Sequence, residues 1–275
     1  MLSQPLRLVP SSAPVASPLG PLQSVLQAGS LYPVFQPIVN LADASIHAHE
    51  ALIRGPAGSA LHTPDALLRA AAEEDLRYEF ENACVAATLR TWGQMRGGGR
   101  LFVNISANAL TRIFNLRGRE GLLRWILDLR VMPRTLVLEI TEHERVDSMD
   151  RLAEVVQEIR SAGVSLALDD FGDGHSSLRL WSQLKPEVVK IDKYFTRNIS
   201  AHGDKLRTIQ ALQQIATVFG SSLVAEGIET AEDLRVLRDL GIEYGQGYFL
   251  GHPDRKPLKY LGVEPQRVLL SLIHI

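Results

Sequence analysis

Ser165-Leu166-Ala167-Leu168-Asp169-Asp170-Phe171-Gly172-Asp173-Gly174 is an apolar run that ends in two adjacent carboxylates and a glycine-punctuated turn. A short apolar run bounded by turn signals reads as a buried strand, and Gly172 and Gly174 turn the chain sharply behind it. Side chains alternate between faces along a strand, so Asp169 and Asp170 cannot share one direction. Two ionised carboxylates placed together repel and need a cation or a proton between them. The pair is a site candidate at the C-terminal end of a strand. A strand exit with a helix-capping Asp is the plainer alternative.

The sequence on both sides repeats the pattern. Expected strands are Leu31 to Asn40 and Ile46 to Arg54, paired as a hairpin, then Leu101 to Ile105, Thr135 to Ile140, Ser165 to Asp169, Glu187 to Ile191, Ser222 to Glu226 and Glu243 to Leu250. Helical periodicity falls between them: Thr63 to Leu89 with a break near Asp75, then Glu120 to Leu129, Ser148 to Ala162, a short helix around Leu178, Asp204 to Phe219 and Ala231 to Leu240. Thr63 precedes Pro64 as an N-cap signal, and Gly163, Gly220 and Gly241 are helix stops. Strands alternating with helices imply parallel pairing with right-handed crossovers. The expected fold class is α/β, a closed (β/α)8 barrel. An open doubly wound sheet would need a Gly-rich phosphate loop after an early strand, which this sequence lacks.

The chain has 275 residues, 45% hydrophobic and 22% charged, ordinary values for a globular protein. A formal net charge of −2 gives no global pull toward DNA or an anionic membrane. Cys84 is the single cysteine, which excludes internal disulfides and thiolate zinc sites and fits a reducing, cytoplasmic setting. No run reaches the roughly 20 apolar residues of a membrane span, and no signal peptide is read at the N-terminus. Residues 1–20, rich in Pro and Ser, read as a flexible tail, with a short helix from Pro21 to Ala28 after it. The barrel is expected over 21–256, with 257–275 as a tail or truncated linker.

Nearly every expected strand carries a polar residue at or near its C-terminal end: Glu50, Asn104, Glu139, Asp169 with Asp170, Lys190 with Asp192, Glu226 and Gln246. In a parallel barrel these ends converge on the face that carries the chemistry. Each could be a cap or a loop carboxylate by itself, but recurrence at so many strands argues for one site. Six carboxylates at one mouth, opposed within the set by Lys190, are most simply reconciled by divalent cations. All-oxygen donors select Mg²⁺, Mn²⁺ or Ca²⁺ over zinc, and carboxylates around paired cations suit phosphodiester hydrolysis. His47 and His49 read as surface or packing residues and Ser106 as a helix cap. Trp92, Trp125 and Trp181 read as core. His175, in the loop after Asp170, could touch substrate.

Glu50-Ala51-Leu52 with Arg54 resembles the signature of the EAL domain family, bacterial phosphodiesterases that act on cyclic di-GMP. The resemblance extends through Phe35-Gln36-Pro37-Ile38, Phe102-Val103-Asn104-Ile105-Ser106, Leu138-Glu139-Ile140-Thr141-Glu142 and Asp169-Asp170-Phe171-Gly172. It continues in Val189-Lys190-Ile191-Asp192, Val224-Ala225-Glu226-Gly227-Ile228-Glu229-Thr230 and Gly245-Gln246-Gly247-Tyr248. It implies a modified TIM barrel whose first strand is antiparallel, and hydrolysis of cyclic di-GMP to linear pGpG. Glu50, Asn104, Glu139 and Asp169 would hold one Mg²⁺ or Mn²⁺, and Asp169, Asp170 and Glu226 a second, with Ca²⁺ inhibitory. Lys190, Asp192 and Gln246 would position water and phosphate, with Glu226 as general base. Gln36, Leu52 and Arg54 would contact substrate. Glu142, Glu229, Phe171, Gly172, Asp173 and His175 would support the site or its loop. The resemblance also implies a homodimer, fused sensory or GGDEF domains, and a role in second-messenger control of biofilm and motility. The competing reading is a catalytically impaired EAL domain acting as a cyclic di-GMP receptor. Two departures stand out: Asp173-Gly174-His175-Ser176-Ser177 stands where the family usually has a small residue or Thr followed by Gly-Tyr-Ser-Ser, and Gly55 replaces a usual tryptophan.

Overall fold

The computed structural model describes residues 19–95, 99–141, 146–172 and 178–271. Eight strands close in sequence order into one barrel: β1 (Tyr32–Asn40), β2 (Ile46–Arg54), β3 (Arg100–Asn104), β4 (Leu136–Thr141), β5 (Ser165–Phe171), β6 (Val188–Ile191), β7 (Ser222–Ala225) and β8 (Tyr244–Gly245). The hairpin turn between β1 and β2 is built by short polar side chains. Asn40 Oδ1 accepts from the Ala42 N–H, Asp43 Oδ1 accepts from the Ser45 N–H, and Ala44 takes φ +60°. That turn reverses the chain, so β1 is antiparallel to both β2 and β8, while every other neighbouring pair is parallel.

Alternation along the strands then separates two apolar layers. Ile38, Ala48, Phe102, Val137, Ala167, Val188 and Val224 point inward and, with Tyr244, plug the barrel interior. Their strand neighbours, such as Val103, Leu138, Leu166 and Leu168, point outward and pack under the helices.

The helices are α1 (Pro21–Gln27), α2 (Pro64–Glu73), α3 (Arg77–Met95), α4 (Ala107–Asp128), α5 (Met149–Ser161), α6 (Leu178–Leu184), α7 (Lys193–Thr196), α8 (Gly203–Phe219), α9 (Ala231–Asp239) and α10 (Val263–Leu270). Their starts follow side-chain capping: Thr63, Ser106, Ser148 and Thr230 accept from the N–H of Ala66, Ala109, Arg151 and Asp233. Asp75, at φ +54°, separates α2 from α3 at the expected break.

Several boundaries differ from the sequence expectation, each for a local reason. α4 starts at Ala107 rather than near Glu120, because non-helical Gly118 (φ 63°, ψ 173°) interrupts it and hides the period. β5 continues past Asp169 to Phe171. β8 holds two residues rather than eight. Gly247 turns the chain away at φ +156°, with a Cβ position 2.2 Å from the Ile228 carbonyl. Within 257–275, expected as a tail, α10 buries Val268 and Leu269, and the Arg238 side chain of α9 donates to the Val268 carbonyl. No helix among the described residues is long and apolar enough to cross a membrane.

Close helix packing gives one test. A Cβ on Gly93 of α3 would fall 1.8 Å from the Leu129 carbonyl oxygen at the end of α4, whereas on Gly121 the nearest atom is 3.4 Å away. Gly93→Ala is expected to destabilise by about 1–3 kcal/mol through overpacking. Gly121→Ala is expected to gain up to about 1 kcal/mol in helix propensity. Urea unfolding of the two variants checks the opposite signs.

Candidate active site

The site is one pleat above the plug. Because side chains repeat every second residue on one face, two steps from each plug residue lead to a polar group at the mouth. Ala48 leads to Glu50, Phe102 to Asn104, Val137 to Glu139, Ala167 to Asp169 and Val188 to Lys190. Val224 leads to Glu226 and Tyr244 to Gln246, just past the ends of their short strands. On antiparallel β1 the count runs backward, from Ile38 to Gln36.

Lys190 is 1% exposed and lies at the centre of this ring. Its Nζ is 3.1 Å from Glu50 Oε2, 2.9 Å from Glu139 Oε1, 2.9 Å from Asp169 Oδ1 and 2.8 Å from Glu226 Oε1. Burial pushes the ammonium pKa down, but the four carboxylates outweigh it and hold Lys190 well above its ordinary value. The acids divide. Burial and the Glu50 charge push Glu139 well above the carboxylate range. Burial, with repulsion from Asp169 and Glu50, lifts Glu226 to about 8 against the pull of Lys190. Burial would raise Glu50 too, yet Lys190 and hydrogen bonds from Gln246 and Asn104 hold it below its usual value.

Amides complete the ring. Asn104 Nδ2 donates to Glu50 Oε1 at 2.9 Å, and Gln246 Nε2 donates to Glu50 Oε2 at 2.6 Å and to Gln36 Oε1 at 3.1 Å. Gln36 Nε2 in turn donates to the Gly251 carbonyl at 3.2 Å. Asp192 caps α7 by accepting from the Tyr194 N–H at 2.8 Å, and the Thr196 hydroxyl donates to the Glu226 carbonyl. Asp170 takes φ +54°, a left-handed conformation that lets consecutive aspartates serve one site.

Two oxygen triads emerge, Glu50 with Glu139 and Asp169, and Asp169 with Asp170 and Glu226. In each, one oxygen per residue lies within 4.8 Å of the others. The buried Glu139 Oε2 accepts no hydrogen bond from the described residues. A buried acceptor left without a donor is costly, and an all-oxygen set of this kind fits hard divalent cations such as Mg²⁺, Mn²⁺ or Ca²⁺. Asp169 is common to both triads, which suits a pair of ions. Two cavities open from these acids. One, of about 330 Å³, is lined by Gln36, Leu52, Asp192, Lys193, Arg197 and Tyr248. The other, of about 350 Å³, reaches under α2 and α3 to Leu68, Phe80 and Cys84.

Of the residues expected from sequence, the ring gathers Gln36, Glu50, Asn104, Glu139, Asp169, Lys190, Glu226 and Gln246, and the cavity wall adds Leu52, Asp170, Asp192 and Glu229. Glu229 pairs with Arg197 at the rim. Arg54 does not line either cavity; its Nη1 donates to the Ile53 carbonyl at 2.8 Å. Phe171 is core, edge-on to Trp181 at 5.0 Å, and Gly172 (φ +109°) leaves no room for a Cβ against Phe195. At Gly55, where the resemblance leads one to look for tryptophan, a Cβ would lie 1.9 Å from the Leu61 carbonyl, so the following loop fills that space. Glu142, Asp173 and His175 lie outside the described residues. Ser106 caps α4, and His49 packs on Trp92, as their sequence context implied. Sequence reasoning missed Lys193, Arg197 and Tyr248; Lys193 directly follows Asp192 and Tyr248 lies two residues past Gln246, whereas Arg197, across the short helix α7, carries no such signal. It also missed Glu81, which carries no sequence signal.

The EAL domain family profile matches residues 21–253. PdeB of Escherichia coli K12, named a probable cyclic di-GMP phosphodiesterase, is 31% identical over 245 residues, 85% of this chain and 45% of that protein. PdeA of the same organism, also named a probable cyclic di-GMP phosphodiesterase, is 27% identical over 239 residues, 86% of this chain and 32% of its own length. The chain thus spans less than half the length of these two curated relatives. Among solved structures, the calcium/cy-diGMP complex of Klebsiella pneumoniae BlrP1 aligns with a TM-score of 0.75 at 28% identity, covering 89% of this chain and 60% of that one. The c-di-GMP-bound standalone EAL protein of Vibrio cholerae O395 gives 0.73 at 26%, covering 86% and 97%. With the profile spanning the whole barrel, the chain belongs to the EAL domain family.

Proposed function

We propose that this barrel hydrolyses cyclic di-GMP to linear pGpG with two divalent cations, in the service of second-messenger signalling. The observation that carries the reading is the pair of carboxylate triads sharing Asp169 at the floor of an open cavity. Glu50, Glu139 and Asp169, with the Asn104 carbonyl oxygen, would hold one ion, and Asp169, Asp170 and Glu226 the other. Cations bound there would lower the pKa of an attacking water and offset charge on the phosphate.

The remaining work falls to the chain. Glu226, at the cavity wall, accepts the proton of the attacking water. Lys190 and Asp192 orient water and phosphoryl oxygen by charge and by hydrogen bond. Gln246 fixes the Glu50 carboxylate from one side while Asn104 fixes it from the other. Gln36 and Leu52 contact the nucleotide. Arg54 follows Glu50 and Leu52 on the same strand face, and its guanidinium, which donates to the Ile53 carbonyl, would have to turn outward to contact the substrate. The names of the relatives and the cyclic-dinucleotide complexes of the structural neighbours support the substrate.

Purified protein with Mg²⁺ or Mn²⁺ is expected to convert cyclic di-GMP to pGpG, read by chromatography of the nucleotides. Glu50→Ala is expected to reduce turnover to background, and Ca²⁺ in place of Mg²⁺ to retain binding without turnover. Binding without turnover under Mg²⁺ and under Mn²⁺ would overturn the hydrolase reading in favour of a receptor.

A second expectation concerns charge. Lys190→Met strands its acids in the interior, and loss of one partner from a buried ion pair costs about 3–5 kcal/mol. In metal-free protein the variant is expected to lose stability on that scale. Mn²⁺ is expected to raise its Tm by more than it raises that of the wild type, as scanning calorimetry would show.

A further inference from the structure

We infer that Glu81 of α3 is a positioning residue for the metal ligand Asn104, an inference that rests on the metal-dependent reading above. Ser106, two residues beyond Asn104, is held by both carboxylate oxygens of Glu81. Its backbone N–H donates to Glu81 Oε2 at 2.7 Å and its hydroxyl to Glu81 Oε1 at 2.9 Å. The same Ser106 Oγ accepts from the Ala109 N–H at 3.1 Å, which caps α4. On the other side, the Ile105 N–H donates to the Glu139 carbonyl at 2.9 Å. The exit of β3 is therefore clamped between α3 and β4, immediately past the ligand.

Anchoring the backbone there fixes where Asn104 projects. Its amide donates to Glu50 Oε1, which leaves its carbonyl oxygen as the atom free to meet a cation. The capping of α4 needs the Ser106 hydroxyl only as an acceptor, and α3 is seated independently by Phe80, Val85, Leu89 and Trp92. The two hydrogen bonds that Glu81 accepts from Ser106 are thus additional to both helices' own requirements. Its effect falls on the turn that carries the ligand. Outer partners that orient a ligand are typically worth about 10–100-fold in metal affinity.

Mn²⁺ titrated calorimetrically into metal-free protein reads this without turnover. Glu81→Ala is expected to weaken Mn²⁺ binding by about 10–100-fold. Glu81→Gln keeps one acceptor for the Ser106 N–H and is expected to fall between Glu81→Ala and the wild type. Ser106→Ala removes the hydroxyl bond from the other side, is expected to weaken Mn²⁺ in the same direction, and carries the test if Glu81→Ala does not fold. Wild-type Mn²⁺ affinity in folded Glu81→Ala, or in both Glu81→Gln and Ser106→Ala, would overturn the role of Glu81 and leave the metal site standing. Failure of the wild-type protein to bind Mn²⁺ would overturn the metal reading itself.

Discussion

One ammonium group shared among four carboxylates is the interaction on which the interior of this barrel depends. Lys190 is too buried for water to solvate it, and its position beside Glu50, Glu139, Asp169 and Glu226 is tolerable only because each supplies opposite charge within 3.1 Å. The balance is incomplete. Four acids against one ammonium leave three negative charges if all are ionised, and burial drives Glu139 and Glu226 toward holding protons instead. A protein that wanted only a stable core could replace such a cluster with apolar side chains at little or no cost. Retaining it, one pleat above an apolar plug and open to a cavity, is in keeping with the cation-binding role proposed above.

Much of this was legible in the sequence, because the signal was positional. Strand-end polar residues at Glu50, Asn104, Glu139, Asp169, Lys190, Glu226 and Gln246 could be read from apolar runs and a period of two, and the fold brings all of them together. What could not be read depends on contacts between distant segments. Gly118 breaks the period of α4, so thirteen residues of helix were missed. The short β8 is set by the approach of Gly247 to Ile228, an encounter no local pattern announces. Glu81 lies inside helix α3 with no local feature that marks it, and only the folded chain shows it gripping Ser106. Arg54, which the family resemblance implied would contact substrate, has its guanidinium turned to the Ile53 carbonyl, an orientation the sequence does not announce.

The antiparallel first strand explains a detail that a uniformly parallel barrel would not. On the seven other strands the site residue follows the plug residue, so the mouth lies at their C-terminal ends. β1 enters from the mouth, and Gln36 reaches the same level by preceding Ile38. Register makes this placement strict. Gln36 pairs with Glu50 across the hairpin, and a slip of one residue would turn Gln36 out of the barrel. The hairpin turn from Asn40 to Ser45, with its two side-chain-to-backbone bonds, therefore acts on the site from the opposite end of the barrel. Through Gln246, which bonds Gln36 and Glu50 together, the first, second and last strands are joined at the mouth, where their backbone pairing has already ended on one side. The polar ring closes where the two-residue β8 is weakest, so the groups that would serve the chemistry also help hold the barrel shut.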